Sequence, residues 1–302
     1  MNISKYKWAL WTYIKTKKNA ALYRSRKNKL KGKEFLSVLH YDIENWGDWV
    51  NRPLVEALSG KPAVSVDIDF KYAQKNQTQF DEGQVLYMVI GSIVAHADSQ
   101  TVIWGAGLQN AGISLKEHPK KVCAVRGPLT REQLIWQGIH CDEVYGDPVL
   151  LMPRFYNPKV EKKYKIGVIA HRSDADNKYI RDFCEAHEDI KFINMRSRSM
   201  STVDEILECE AILSTSLHGL IVADAYGIPS AWGRASEKIP GGYFKYRDYY
   251  QSIGEHDKTE PDLYINKPIE RANLEPLLTL KKMDIDLDLL QKSCPFLGEG
   301  RP

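Results

Sequence analysis

AILSTSLHGLIVADAYGIPSAW, residues 211–232, is the stretch that sets the fold. Its apolar run 211–215 predicts a buried strand. Three small hydroxyl residues, Ser214, Thr215 and Ser216, form the turn that follows. A helix then opens beside His218 and is closed by Gly227, before a second apolar run at 228–232. A strand, a helix and a second strand at this spacing read as a crossover unit, the connection that parallel strands require.

The same alternation extends in both directions. On the N-terminal side of this unit lie strands at IGVIAH (166–171) and KFINM (191–195), with a helix around 202–209. Earlier still, FLSVLHYD (35–42) leads into a loop with Asn45, Gly47 and Asp48, and a helix over 50–60 is closed by Gly60. Strands are predicted at VLYMVIGSI (85–93), TVIWGAG (101–107) and KVCAV (121–125), the last followed by a helix from Pro128 to Gly138. The Pro- and Lys-rich stretch 152–165 reads as a linker, and 266–302 reads as mostly helical. The expectation is an α/β protein of two Rossmann-like domains, 34–155 and 156–265, with an interdomain cleft. An arm (1–33) precedes them and a helical segment (266–302) follows. In such sheets ligands bind beyond the carboxyl ends of the strands, so the residues just after each strand are the site candidates.

Composition excludes some classes. The 302 residues are 43% hydrophobic and 27% charged, and no run approaches the ~20 apolar residues of a membrane-spanning helix. The N-terminus lacks the apolar run of a secretory signal. Five cysteines, odd in number and without a CxxC pair, suit reduced thiols and a cytoplasmic address. The net charge of +3 conceals an asymmetry: residues 1–33 hold eleven Lys or Arg and no acid, leaving −8 on the remainder. Tyr6, Trp8, Leu10, Trp11, Tyr13, Ile14, Leu22 and Tyr23 interleave with these bases. Such an arm suits an anionic membrane surface. Packing on the body or a solvated tail are the plainer alternatives. The acidic body disfavours nucleic acid.

Four clusters carry candidate chemistry. At the first, helix-start amides favour an anion, Ser214 and Ser216 add donors, and His218 can move a proton. The competing reading is a capping serine beside a satisfied histidine. At the second, Arg126 stands between a strand and a helix start, ready to clamp a phosphate or to pair with the acidic body. The third, SEKIPGGYFKYRDYY (236–250), is a Gly-rich aromatic loop with Lys238, Lys245 and Arg247, of which one lysine can face the cleft. The fourth is the pair His171 and Arg172. Trp46, Trp49, Trp104 and Tyr243 are candidates to stack on a sugar, with burial the alternative for most. Other motifs fail: Gly105 and Gly107 lack a third glycine at dinucleotide spacing, and no P-loop, HExxH or GxSxG occurs. Asp67 and Asp69 read as an exposed strand face rather than a metal pair, and no metal is expected.

The chain resembles the polysaccharide pyruvyltransferases of bacterial capsule and exopolysaccharide synthesis. The likeness runs through NWGDWVN (45–51), IGSI (90–93), WGAG (104–107), VRGPLT (125–130), GDP (146–148), STSLHGLIVADAYGIP (214–229) and FKYRDYY (244–250). The arm 1–33 has no counterpart. The resemblance implies a GT-B-like pair of domains and phosphoenolpyruvate as co-substrate, with no other cofactor. The implied product is a cyclic pyruvate ketal on two hydroxyls of a sugar. It places the family histidine at His218, a basic residue at Lys238 and the family arginine at Arg126. Some relatives carry Arg where this chain has Leu217, which asks Arg172 or Lys245 to supply that phosphate contact. Asn45, Asp48 and Trp46 are expected at the acceptor side. A lipid-linked oligosaccharide acceptor at the inner face of the cytoplasmic membrane would suit the arm. A sugar-nucleotide glycosyltransferase of the same build, and a carbohydrate-binding scaffold, are the competing functions.

Overall fold

The computed structural model describes residues 17–19, 21–73, 83–239 and 241–300. Two parallel five-stranded sheets organise them. The first contains β1 (Leu36–His40), β2 (Ala63–Asp67), β3 (Leu86–Met88), β4 (Thr101–Trp104) and β5 (Lys121–Ala124), in the order β2-β1-β3-β4-β5. The second contains β6 (Tyr164–Ala170), β7 (Ile190–Asn194), β8 (Cys209–Ser214), β9 (Ser230–Arg234) and β10 (Leu263–Tyr264), in the order β10-β9-β8-β6-β7. In each, the first strand pairs with the second on one side and the third on the other. The chain therefore reverses its winding between β1 and β3, and again between β6 and β8. These reversals open crevices at the carboxyl ends of the strands.

The helices of the first half are α1 (Trp46–Trp49), α2 (Asn51–Ser59), α3 (Ile68–Ala73) and α4 (Pro128–Ile135). Those of the second are α5 (Lys178–Glu185), α6 (Ser201–Leu207), α7 (Leu217–Ala225) and α8 (Phe244–Ser252), followed by the short α9 (Arg271–Leu274) and α10 (Leu287–Lys292). Helix α7 is apolar on every side, and Leu217 and Gly219 through Asp224 are buried. It belongs to an apolar cluster that runs from Val38 and Trp104 through Leu150–Met152 to Ile169 and Trp232. Each fully buried Leu, Ile or Val there contributes ~1.5–3 kcal/mol.

Polar straps fix one half on the other. The Trp46 amide donates to Met195 O at 2.8 Å and its indole to Ser199 O at 3.1 Å. Arg126 pairs with Asp248 of α8, and both side chains are inaccessible to solvent. The C-terminal segment returns to the first sheet, where Trp104 Nε1 donates to Leu290 O and Phe296 meets the Trp104 ring edge-on.

Four expectations need correction. The segment 236–250 is not a loop throughout: from Phe244 it is helix α8, whose Tyr246 stacks on Trp232 at 4.4 Å and buries the aromatic face. Residues 266–300 are mostly irregular chain, with two short helices and a 3-10 turn, Glu275–Leu277. The linker 152–165 starts inside a 3-10 helix, Pro148–Arg154, that buries Leu150, Leu151 and Met152 against the core. The alternation at 64–70 is a buried strand turning into α3, in which Asp67 accepts the amides of Asp42 and Phe70.

Of the arm, residues 21–29 are helical. Tyr23 is 3% exposed and packs on Phe70, which for this residue is the alternative of packing on the body. Tyr6, Trp8, Leu10, Trp11, Tyr13 and Ile14 lie outside the described residues. No helix among the described residues is long and apolar enough to cross a membrane.

Candidate active site

The two reversal crevices face each other and enclose one cavity of about 420 Å³. Asn45 and Asp48 reach it from beyond β1, and Ser92 from beyond β3. His171 and Arg172 follow β6, Ser216 and His218 follow β8, and Lys245 enters from α8. Residues scattered over two hundred positions thus converge because most follow the carboxyl end of a parallel strand, with Lys245 added from α8.

His218 stands on the first turn of α7, where the leading amides have no intrahelical acceptor. Its side chain is 14% exposed. Two glycines make the position possible. A Cβ on Gly47 would lie 2.0 Å from His218 Nδ1, and one on Gly219 would lie 2.4 Å from Ser214 Oγ. The imidazole therefore packs directly on the backbone of α1. Its Nε2 lies 3.9 Å from Asp147 Oδ2, and neither buried atom has a hydrogen-bond partner. Burial, followed by the charges of Lys245, Arg126 and His171, pushes the imidazole down to about 3. Burial also raises Asp147 to about 7, against the opposing Val149 amide and Arg126 charge. Both groups are thereby driven toward their neutral forms.

The cations differ in how committed they are. Arg126 Nε donates to Asp248 Oδ2 at 3.0 Å, Nη1 to Ser92 Oγ at 2.7 Å and Nη2 to Leu108 O at 2.7 Å. It is 1% exposed, and so gives the cavity floor a fixed positive charge rather than a free clamp. Of the two readings open for Arg126, the pair with an acid is the one found. Gly107 and Gly127 leave room for it: a Cβ on Gly107 would lie 2.5 Å from Arg126 Cζ, and one on Gly127 would lie 1.8 Å from Asp248 O.

Lys245 is 8% exposed, and no carboxylate among the described residues lies within ion-pair distance of its Nζ. Burial and the Arg126 charge bring it down to about 8, with Asp48 opposing. Arg172 is exposed at the cavity lip, also without an acidic partner among the described residues. His171 is pushed down to about 3 by burial and then by Lys245 and Arg172, and its Nδ1 meets Ser173 Oγ at 2.7 Å. Asp48 is 8% exposed, accepts Asn45 Nδ2 at 2.6 Å, and has its pKa raised by burial.

Several candidates are elsewhere. Lys238 is exposed on the turn after β9 and does not line the cavity, whereas Lys245, the other lysine expected to contact the donor, does. Ser214 is fully buried, its hydroxyl exchanging hydrogen bonds with Ser216 O and N, and it faces the β8 turn rather than a ligand. Trp46 and Trp104 are fully buried, with their indole N–H groups on backbone carbonyls, so neither offers a face to a sugar. Tyr243 packs edge-on against Trp232 beneath the Arg234 guanidinium. Asp147 was missed as a site residue: the GDP triplet was visible, but nothing local places its carboxylate beside an imidazole on another helix. Among the described residues no group of three or more His, Cys, Asp or Glu could hold a metal ion.

Taken together, the crevice brings cationic side chains, the start of α7 and an imidazole beside a buried acid around one cavity. Comparison with known proteins supplies the family. The model of the polysaccharide pyruvyl transferase family matches residues 74–232, just over half of the chain, and the chain belongs to that family. It is a pyruvyltransferase enzyme with a polysaccharide acceptor. An uncharacterized protein of Acanthamoeba polyphaga mimivirus is 26% identical over 263 residues, 83% of this chain and 86% of the relative. The succinoglycan biosynthesis protein ExoV of Rhizobium meliloti (strain 1021) is 25% identical over 180 residues. That alignment spans 57% of this chain and about half, 54%, of ExoV. The family match includes Arg126, Asp147, His171, Arg172 and His218, whereas Asp48 and Lys245 lie outside it.

Proposed function

We propose that the enzyme transfers pyruvate from phosphoenolpyruvate to two hydroxyls of one sugar in a surface polysaccharide precursor, forming a cyclic ketal and releasing phosphate. The observation that carries this reading is the placement of His218, with Asp147 behind it, opposite Lys245 at the start of α7. Phosphoenolpyruvate brings about three negative charges, one from its carboxylate and nearly two from its phosphate. Lys245, Arg172 and the α7 amides are suited to them, over the fixed charge of Arg126. The two facing sheets would then form a GT-B-like pair, with donor and acceptor meeting in the crevice.

The chemistry needs one proton delivered and two removed. Protonation of the donor's methylene carbon makes C2 electrophilic. The first sugar hydroxyl adds to C2 and loses its proton, the C2–O bond to phosphate breaks, and the second hydroxyl closes the ring. One hydroxyl proton balances the new methyl group and the other leaves on hydrogen phosphate. In the unliganded crevice burial, with repulsion from Lys245 and Arg126 added, keeps His218 neutral. A bound trianion reverses that field, so the imidazole takes up a proton beside the donor. Asp147, once ionised, stabilises the imidazolium, and Asp48 accepts from a sugar hydroxyl.

The acceptor is proposed to be a lipid-linked oligosaccharide, met at the inner membrane face. Incubation with phosphoenolpyruvate and a panel of galactosides, mannosides and glucosides tests the reaction. The expected product gains one pyruvate less one water and releases phosphate in equal amount. Phosphate release without a mass-shifted sugar, or stabilisation by nucleoside diphosphates in place of phosphoenolpyruvate, would contradict it.

A further inference from the structure

A second cavity, of about 220 Å³, adjoins the active site through Ile43, which lines both. Arg26 from the arm helix, Arg52 from α2 and Arg198 from the loop after β7 converge on it, with Trp49, His40 and Asp42. Arg198 pairs with Asp42 at 2.9 Å. Arg26 and Arg52 have no hydrogen bond or ion pair among the described residues. Three guanidinium groups against one carboxylate leave a net charge of about +2 in a confined space, a repulsion that an anion relieves. Burial and then the charge of Arg52 lower the pKa of Arg26, with Arg198 adding to them and Asp42 and Glu56 opposing.

His40 adds an independent sign. It is 3% exposed at the end of β1, and its Nδ1 meets Tyr41 O at 2.9 Å. A carbonyl only accepts, so Nδ1 carries the proton and Nε2 is left as the open position. That buried Nε2 has no partner. A side chain so enclosed is ordinarily satisfied, and an orphaned one lining a cationic cavity calls for a ligand atom.

The geometry points to a second anion site, formed by Arg26, Arg52, Arg198 and His40, that binds a phosphate or diphosphate ester of the acceptor while its sugar enters the neighbouring crevice. Guanidinium groups suit phosphoryl oxygens bidentately, His40 Nε2 can accept from a phosphoryl hydroxyl, and Trp49 offers a flat apolar wall to the adjoining ring. The assignment of the ester to the acceptor rests on the function proposed above, whereas the anion site itself does not. It also gives the arm helix a role at the site, through Arg26.

Titration with inorganic pyrophosphate tests the site, with the active-site crevice saturated by phosphoenolpyruvate. The full-length protein is expected to bind pyrophosphate and to shift the His40 ring resonances. Arg26→Gln with Arg52→Gln should weaken that binding at least tenfold, and leave phosphoenolpyruvate affinity and circular dichroism unchanged. Retained pyrophosphate binding in the folded double variant overturns the site. Loss of phosphoenolpyruvate binding in the wild type would instead count against the proposed donor, and pyrophosphate binding would still report on this cavity. Flotation with phosphatidylcholine vesicles carrying a polyprenyl phosphate, abolished in the double variant, assigns the ester to a lipid carrier. Arginine-dependent binding of soluble hexose 1-phosphate without flotation assigns it to a free sugar ester.

Discussion

His218 draws its chemistry from neighbours distant in the chain: the bare backbone of Gly47, the acid Asp147 and the ammonium of Lys245. Replacing His218 with Ala should lower kcat by ~10²–10⁴ and change donor binding little, as steady-state kinetics and calorimetry would show. Wild-type turnover in the variant would remove the imidazole from the mechanism. Lys245→Ala should raise the donor KM by roughly 10–100-fold, the worth of a lost charged hydrogen bond. Lys238→Ala, on an exposed turn, should leave it unchanged. The sequence pointed to His218 because a helix start, a strand end and three hydroxyls coincide there. Both Lys238 and Lys245 were candidates, and only the fold shows that Lys245, on α8, lines the cavity while Lys238 stays on the turn before it.

Glycine motifs acquire their meaning only when helices and strands are brought together. In α1, Gly47 is needed for what it lacks, since any Cβ there meets the His218 ring. Gly47→Ala should therefore cut kcat and leave donor KM and the melting temperature less affected, whereas an unchanged kcat would show that the ring can move aside. Gly107, which resembled part of a dinucleotide loop, clears space for the Arg126 guanidinium. Strands and the α7 crossover were visible because buried parallel strands are runs of apolar residues and helices close at Gly60, Gly138 and Gly227, each with positive φ. Helix α8 was not, since its register is set by Tyr246 on Trp232 and by the Asp248 pair, both contacts to other elements.

Between the two halves, the Arg126–Asp248 pair is the fixed point. Asp248 also accepts from the Thr130 amide and hydroxyl, so one carboxylate joins α8 to the start of α4. Asp248→Ala strands a buried guanidinium and should cost ~3–5 kcal/mol in chemical denaturation. A loss below ~1 kcal/mol would mean that solvent reaches the pair.

Stability should also depend on pH through the buried acid and imidazole. The folded pKa of His218, about 3, lies below its ordinary 6.5. Its contribution is therefore complete above 6.5 and is lost as the pH falls toward 3, at up to about 1.4 kcal/mol per pH unit. Asp147, raised from 3.8 to about 7, acts in the opposite sense: its contribution is complete below 3.8 and is lost as the pH rises through 7. Across the shared window the slopes oppose, so Asp147→Asn should reveal a steeper acid lability in melts at several pH values. Identical profiles for variant and wild type would contradict this assignment.

The claim at the centre is that a trianion in the crevice converts a neutral imidazole into an acid. Nuclear magnetic resonance of the His218 ring, titrated with pH in the absence and presence of saturating phosphoenolpyruvate, reads that change directly. The midpoint should lie well below 6.5 in the free enzyme and rise with the donor bound. A midpoint unmoved by saturating donor in the wild type would contradict the account.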